Sequence, residues 1–288
     1  MLVALATLSQ ARAQDVLVSC FNSGEIRRYD ASGASLGTFA TMSTAGPTQM
    51  AKDSSGRVYV ANFGTGEVLQ YSPTGTLLGT FATVDPGGPF GLAIDASDNV
   101  YVTGYYDATL RRFNASGTLL SSTATGLGDP STIAIGPNGN LFLANSDSPG
   151  GIYQFTPGGT PLGLYASLPV ATGLAFAPGG ELFAASGDGN IYRFDNAGGA
   201  LGSFATGFSL PEGMLIHGGN LLVADGGGSA VQTFTFSGSN LGAFATPGGG
   251  PVGLLSVASA PEPGTLALLG LGLAIGALRR RAKGKQKQ

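Results

Sequence analysis

The sequence predicts an all-β protein, and three observations support this fold class. Of the 288 residues, 49 are glycine, which readily adopts the positive φ angles that many tight turns require. Short apolar phrases return at a nearly constant interval of about 41 residues along the chain. Before the last 30 residues, no stretch shows the i, i+3, i+4 spacing of apolar residues that is typical of an amphipathic helix over three turns.

The body of the chain consists of six repeats. The first marker of each repeat is an apolar phrase: VLVSC (16–20), VYVAN (58–62), VYVTG (100–104), LFLAN (141–145), LFAAS (182–186) and LLVAD (221–225). A second marker of the LGTFAT type follows each phrase in phase, at 36–41, 78–83, 120–125, 162–167, 201–206 and 241–246. Each unit contains four short runs rich in β-branched and aromatic residues. Four strands in each unit of this length predict a six-bladed β-propeller over residues 14–258.

The two ends of the body predict how the ring closes. The first repeat begins at what would be the second strand of a blade, at residues 16–20, and the body finishes on a first-strand phrase at 252–257. Pairing of 252–257 with 16–20 would complete the sixth blade from both termini. Such a closure removes the exposed sheet edges of an open array.

The first 13 residues resemble the end of a secretory signal peptide. An apolar run leads to Ala11-Arg12-Ala13, a small-x-small pattern in which Ala11 and Ala13 would mark signal cleavage. We therefore expect an exported protein and exclude residues 1–13 from the fold.

The last 30 residues have a different composition from the body. Pro261-Glu262-Pro263 precedes an uncharged apolar run at 264–278, and Arg279, Arg280 and Arg281 follow it. We expect the run to form a C-terminal apolar helix that anchors in a membrane, although about 20 residues are usually needed to span one. The basic cluster would act as a membrane stop on the cytoplasmic side.

This order of elements in residues 259–288 resembles the PEP-CTERM sorting signal of Gram-negative bacteria. The resemblance implies processing near Pro261-Glu262-Pro263 by an exosortase-type membrane enzyme. It also implies delivery to the cell surface or the extracellular matrix. A plain C-terminal membrane anchor is the alternative for the same residues.

The charge distribution gives no reason to expect a nucleic-acid partner. Six of the 14 basic residues lie in the last ten positions, whereas all 17 acidic residues lie before them, so residues 1–278 carry 8 − 17 = −9. Nucleic-acid binding would require a basic face on the folded domain.

The repeat consensus, P-x-G-L-A-I-D followed by V-Y-V-A-N, resembles NHL-type repeats and the superfamily of streptogramin lyase and the gluconolactonases. The resemblance implies inner strands around a central channel, and in the gluconolactonases a divalent metal held there by Glu, Asn and Asp. We find no such set where the inner strands end, at Asp53, Asp95, Gly136, Ala177, His217 and Val257.

Few residues of the body are candidates for chemistry. Asn62, Asn145 and Asp225 recur at the end of the second strand and are weak candidates for Ca²⁺ ligands, since Ca²⁺ prefers oxygen donors. The favoured alternative is that they hydrogen-bond the following turn. A streptogramin-type lyase would need a catalytic histidine, but we expect His217 to be structural or solvent-facing and Cys20 to be an inert thiol.

Three functional hypotheses follow. The first is a non-catalytic surface or matrix protein whose propeller binds a polysaccharide or a protein, without a cofactor. The second is a secreted metal-dependent lyase or a lactonase-like hydrolase. The third is an envelope propeller that its C-terminal helix anchors permanently in the membrane.

Overall fold

The computed structural model describes residues 14–84 and 88–259, which form 24 β-strands. The first twelve are β1 (Gln14–Cys20), β2 (Glu25–Tyr29), β3 (Ser35–Thr41), β4 (Pro47–Lys52), β5 (Val58–Asn62), β6 (Glu67–Tyr71), β7 (Leu77–Thr83), β8 (Pro89–Ile94), β9 (Val100–Gly104), β10 (Thr109–Phe113), β11 (Leu119–Ala124) and β12 (Pro130–Ile135). The others are β13 (Leu141–Asn145), β14 (Gly151–Phe155), β15 (Pro161–Ala166), β16 (Ala171–Phe176), β17 (Leu182–Ser186), β18 (Asn190–Phe194), β19 (Ala200–Thr206), β20 (Pro211–His217), β21 (Asn220–Asp225), β22 (Ala230–Thr235), β23 (Asn240–Ala245) and β24 (Pro251–Ala258).

The strands form six four-stranded antiparallel sheets, which confirms the prediction of an all-β, six-bladed propeller. Blade 1 has the strand order β24-β1-β2-β3, so the last and first strands of the described chain lie side by side. Blades 2 to 6 each contain four consecutive strands, from β4–β7 to β20–β23. The predicted C-terminal apolar helix falls outside the described residues. Within those residues, no helix has the length and hydropathy that a membrane span requires.

The core lies between neighbouring blades. The second strand of each blade is buried on both faces, as in β5 and β9, because each blade packs against two others. This burial explains why these strands have continuous apolar sequences such as VYVAN. One cluster packs Leu222 and Val231 of blade 6 against Val16 and Val18 of blade 1, so the ring closes through side chains as well as through the sheet.

The outermost strands are exposed. The leucines of the LGTFAT phrases project into solvent, as shown by Leu36 and Leu241, which are 53% and 58% exposed. The alanine near the end of the same phrase is buried, as at Ala40 and Ala245. The outer strands therefore contact the core only near their last residues.

The P-x-G segment at the start of the inner strands has a packing role. At Gly91, Gly173, Gly213 and Gly253, an added methyl group would overlap a backbone carbonyl oxygen of the next blade. The missing side chain lets adjacent inner strands approach each other closely around the channel. The glycine of the repeat thus determines how narrow the ring is.

Polar side chains replace this glycine in blade 2 and blade 4, where Gln49 and Thr132 stand. The Gln49 Oε1 atom accepts hydrogen bonds from the backbone N–H groups of Leu92 (2.9 Å) and Ile133 (3.2 Å). Its Nε2 atom donates to the carbonyl oxygen of Ile133 (3.0 Å). One side chain therefore connects the inner strands of three blades.

Candidate functional site

The main cavity of the propeller opens on the face where the inner strands begin. It has a volume of about 570 Å³, within the range of roughly 300–1,000 Å³ that is usual for small-molecule sites. Residues from three sets of positions line it: those that follow the second strand of a blade, those that directly precede an inner strand, and the second residue of the inner strands. All the blades contribute, so the cavity lies over one end of the central channel.

One wall of the cavity is aromatic. Phe63 is its centre, and its ring centroid lies 6.1 Å from that of Phe21, 6.1 Å from Phe90, 5.8 Å from Tyr105 and 5.1 Å from Tyr106. Phe21, Phe63 and Tyr105 each follow the second strand of blades 1, 2 and 3. Tyr106 is 67% exposed, so its ring faces the opening. The wall offers ring faces and a phenolic hydroxyl group to a ligand.

The opposite wall is made of small residues. Ser146, Gly187 and Gly226 occupy, in blades 4, 5 and 6, the position that the aromatic residues occupy in blades 1 to 3. The six blades have equivalent backbones, but only three carry a ring here. This asymmetry leaves open space beside the aromatic wall.

The second residue of the inner strand forms the floor in five blades. These residues are Phe90, Ser131, Thr172, Glu212 and Val252, whereas the equivalent Thr48 of blade 2 is fully buried. The hydroxyl groups donate to the backbone of the next blade: Thr48 Oγ1 to the Phe90 carbonyl (2.8 Å) and Thr172 Oγ1 to the Pro211 carbonyl (2.7 Å). An ionised carboxylate at the same position has no proton to donate. Glu212 therefore differs from the hydroxyl residues in both charge and bonding.

Glu212 is the charged residue among the described residues that line the cavity. Its Oε2 atom is buried and has no hydrogen-bond partner. Removal from water raises the pKa of the Glu212 carboxyl from an ordinary value of 4.5 to about 7. Glu212 also lines a small space of about 20 Å³ in the channel beside Gln49, so it lies where the cavity meets the channel.

The residues predicted as Ca²⁺ candidates form hydrogen bonds with loops of the propeller. Asn62 Oδ1 accepts a hydrogen bond from the N–H of Gly64 (3.1 Å), and Asn145 Oδ1 accepts one from Asp129 (3.1 Å). Asp225 accepts from the N–H of Leu210 (2.8 Å). All three are buried and lie in three different blades. Asn62 bonds the turn that follows it, whereas these bonds of Asn145 and Asp225 hold the loop that precedes the inner strand of the same blade.

His217 is at the far end of β20, five residues after Glu212 and roughly 16 Å away at the usual rise of a strand. Its ring is buried, and Nδ1 lies 3.1 Å from Ser256 Oγ. Burial lowers the pKa of His217, which keeps the imidazole neutral at pH 7. Cys20 is fully buried, and burial raises the pKa of its thiol to about 11. Neither His217 nor Cys20 lines the cavity.

The inner-strand ends named from the sequence lie at the opposite end of these strands from the cavity. Asp53 and Asp95, where those strands end, accept hydrogen bonds from the turns that follow, such as Asp95 Oδ1 from the Asn99 N–H (2.9 Å). The cavity lies at the other end. A usable signal for Glu212 exists, because it is the one acidic residue at the second position of the inner-strand repeat.

The predicted targeting residues lie outside the described part of the chain. They are Ala11, Ala13, Pro261, Glu262, Pro263, Arg279, Arg280 and Arg281. A family model of the PEP-CTERM protein-sorting motif matches residues 259–281 of the sequence. The motif implies export to the cell envelope or surface, with an exosortase-type enzyme as processing partner.

Solved structures similar to this chain include one from a nidogen/laminin complex (TM-score 0.75, 18% identity, 85% of this chain and 98% of that one). A protein of unknown function from Bacteroides caccae has a TM-score of 0.70 at 14% identity, with 86% and 100% covered. Virginiamycin B lyase from Staphylococcus aureus has a TM-score of 0.63 at 14% identity, with 81% and 84% covered. A search of curated proteins found no match. The chain is a six-bladed β-propeller with structural neighbours of the NHL and streptogramin-lyase type, and it carries a PEP-CTERM sorting motif at residues 259–281.

Proposed function

We propose that this chain is an exported cell-surface or extracellular-matrix protein that binds a polysaccharide in its aromatic cavity. The observation that supports the proposal most strongly is the wall formed by Phe21, Phe63, Phe90, Tyr105 and Tyr106 beside an open cavity of about 570 Å³. Sugar rings have apolar C–H faces that pack on aromatic rings and hydroxyl edges that need hydrogen bonds. Ser131 and Thr172 line the cavity, and their hydroxyl oxygens can accept such bonds.

Binding fits the cavity better than cleavage of the sugar chain. Glycosidases generally place two carboxyl groups on either side of the bond that they break. Among the described residues that line the cavity, Glu212 is the single carboxylic acid. We therefore propose that the propeller holds the polysaccharide without cutting it.

Replacing Tyr106 by alanine tests the binding site. Tyr106 is largely exposed, so its removal leaves the core intact while it deletes one ring of the wall. We expect the affinity for the bound polysaccharide to fall roughly 2- to 10-fold, the value of one aromatic contact. Isothermal titration calorimetry with the mature protein and oligosaccharides from the host matrix measures this change.

Leu164→Ala is the matched control. Leu164 is also exposed, at 57%, but it lies on the outer strand β15 and does not line the cavity. The affinity of the Leu164→Ala variant for the polysaccharide should equal that of the wild type. Equal affinities of Tyr106→Ala and Leu164→Ala would place the binding surface elsewhere on the propeller and contradict the proposal.

The sorting motif predicts a processed C-terminus. We expect the protein recovered from the surface of its host to end near Pro263, because an exosortase-type enzyme would remove the apolar run and the arginines that follow. Peptide mass mapping of surface and membrane fractions measures this end. An intact tail in the membrane fraction would instead show a permanently anchored envelope propeller, which is the alternative.

A secreted lyase or lactonase-like hydrolase is the second candidate. The fold similarity to virginiamycin B lyase and the raised pKa of Glu212 favour it. Two observations count against the metal that such enzymes imply: the described residues contain no group of three His, Cys, Asp or Glu side chains that could hold an ion, and Glu212 is the single carboxylic acid among those that line the cavity. Elemental analysis of the purified protein tests this candidate, for which a stoichiometric divalent ion is expected.

A further inference from the structure

We infer that the cavity recognises a saccharide bearing a free amino group, with the ammonium group against the Glu212 carboxylate and the sugar ring on the aromatic wall. This inference rests on the proposed function and names the class of ligand. It depends on three observations: a carboxyl group whose buried Oε2 atom has no hydrogen-bond partner, aromatic rings on the same cavity, and the net negative charge of the body.

The first observation is that the carboxyl group of Glu212 has no counter-ion from the protein. A buried carboxylate is normally paired with a cation or is richly hydrogen-bonded. The basic residues of the described body are engaged elsewhere. Five of them form ion pairs, Lys52 donates to the Ser256 carbonyl oxygen, and Arg112 lies over the Tyr101 ring. The five are Arg27, Arg28, Arg57, Arg111 and Arg193. Within residues 14–84 and 88–259, no basic side chain is therefore available to Glu212, and we infer that its cation comes from a ligand.

The second observation is the surface that shares the cavity with Glu212. The faces of Phe and Tyr rings attract cations, and recognition of ammonium groups by several rings around a carboxylate uses both attractions. Phe63 contacts four other rings within 6.1 Å, so a ligand on this wall meets a continuous aromatic surface. Apolar and cationic groups can both be accommodated there, which suits an amino sugar.

The third observation concerns charge. Residues 1–278 carry a net charge of −9, so the body of the protein attracts cationic polymers and repels anionic ones before contact. An acidic polysaccharide would also place like charge beside Glu212. A neutral sugar could donate its hydroxyl groups to the carboxylate, but it would bring no charge to balance that of Glu212. The amino sugar is the class that uses both the charge of the body and that of the floor.

The proton balance of binding distinguishes a ligand that pairs with the ionised carboxylate from one that accepts a hydrogen bond from the carboxylic acid. With a pKa of about 7 in the empty cavity, the Glu212 carboxyl is mostly protonated at pH 6. An ammonium group binds the ionised form, so complex formation releases about one proton at this pH. A neutral hydrogen-bond acceptor binds the protonated form and releases none.

Calorimetry of the full chain at pH 6 tests the inference with three probes: the β-1,4 tetramers of glucosamine, N-acetylglucosamine and glucose. We expect the glucosamine tetramer to bind at least about 10-fold more tightly than the other two, the usual value of a charge-assisted hydrogen bond. Repeating the titration in two buffers that differ in ionisation enthalpy gives the number of protons released. We expect about one per site for glucosamine and none for the others.

Glu212→Gln keeps the shape of the side chain and removes its charge. This variant should lose at least about 10-fold in affinity for the glucosamine tetramer, together with the proton release, and should bind the other two tetramers as the wild type does. Glu181→Gln is the matched control, because it removes one negative charge from an exposed ion pair outside the cavity. It should leave all three affinities unchanged.

Each negative outcome contradicts a different statement. If the glucosamine tetramer binds no better than the glucose tetramer, or binds Glu212→Gln equally well, the inference is wrong and polysaccharide binding still stands. If Tyr106→Ala also leaves the binding of matrix oligosaccharides unchanged, the proposed function fails with it. Equal loss in Glu181→Gln and Glu212→Gln would reduce the effect to net charge and would also overturn the inference.

Discussion

Replacing Gly173 by alanine is expected to lower the free energy of unfolding by about 2 to 4 kcal/mol, because the added methyl group has no room. Gly173 is the glycine of the inner strand β16, and its new Cβ atom would overlap the backbone carbonyl oxygen of Glu212 in β20. The neighbouring atoms belong to the backbone, so β16 and β20 would have to separate. For a domain of this size the melting temperature should fall by roughly 5 to 15 °C, as measured by calorimetry.

Gly179→Ala is the control for this experiment. Gly179 lies in the turn after β16, its φ angle is not positive, and no atom lies within 4 Å of an added Cβ. Its replacement should change stability by less than about 0.5 kcal/mol. If both variants melt at the same temperature as the wild type, the inner strands are more loosely packed than the structure indicates, and the P-x-G glycine has no role in the width of the ring.

The fold could be predicted from the sequence because the residues that define the repeat have local structural roles. Turn residues such as Asp95 and Asn99 and two-sided apolar strands such as VYVAN depend only on neighbours along the chain and on the stacking of like blades. Six consecutive units of four strands each are compatible with few folds other than a closed six-bladed ring. Asn62, Asn145 and Asp225 also repeat at the end of the second strand, where each side chain hydrogen-bonds a loop of its own blade.

The site could not be predicted in the same way because it depends on departures from the repeat. Phe63 and Gly187 occupy equivalent positions, and only the folded ring shows that one supplies a ring and the other leaves space. The burial of Glu212 comes from residues of other blades that are distant in sequence. Comparing the blades position by position would have identified Glu212 as the acidic exception, but its raised pKa would still have required the structure.

Glu212→Gln is expected to raise the free energy of unfolding, relative to the wild type, by more at pH 8 than at pH 5. The Glu212 pKa rises from 4.5 in an unfolded chain to about 7 in the folded one, so the folded state holds its proton more tightly. The free energy of unfolding therefore falls as the pH rises from 4.5 to 7, and at pH 8 the full cost applies. At about 1.4 kcal/mol per pKa unit, Glu212→Gln should gain about 2 to 3 kcal/mol between pH 5 and pH 8, as measured by urea denaturation.

The cost of burying the neutral amide of the variant does not depend on pH. It therefore cancels when the effect of the substitution at pH 5 is subtracted from its effect at pH 8. Glu181→Gln should show a difference below about 0.5 kcal/mol, since exposed ion pairs contribute little. An equal response of the two variants would mean that the Glu212 carboxyl is solvated in the folded protein and needs no external cation. A gain confined to Glu212→Gln would show that the propeller retains a destabilising carboxyl group at the floor of its cavity, as expected of a residue kept for a ligand.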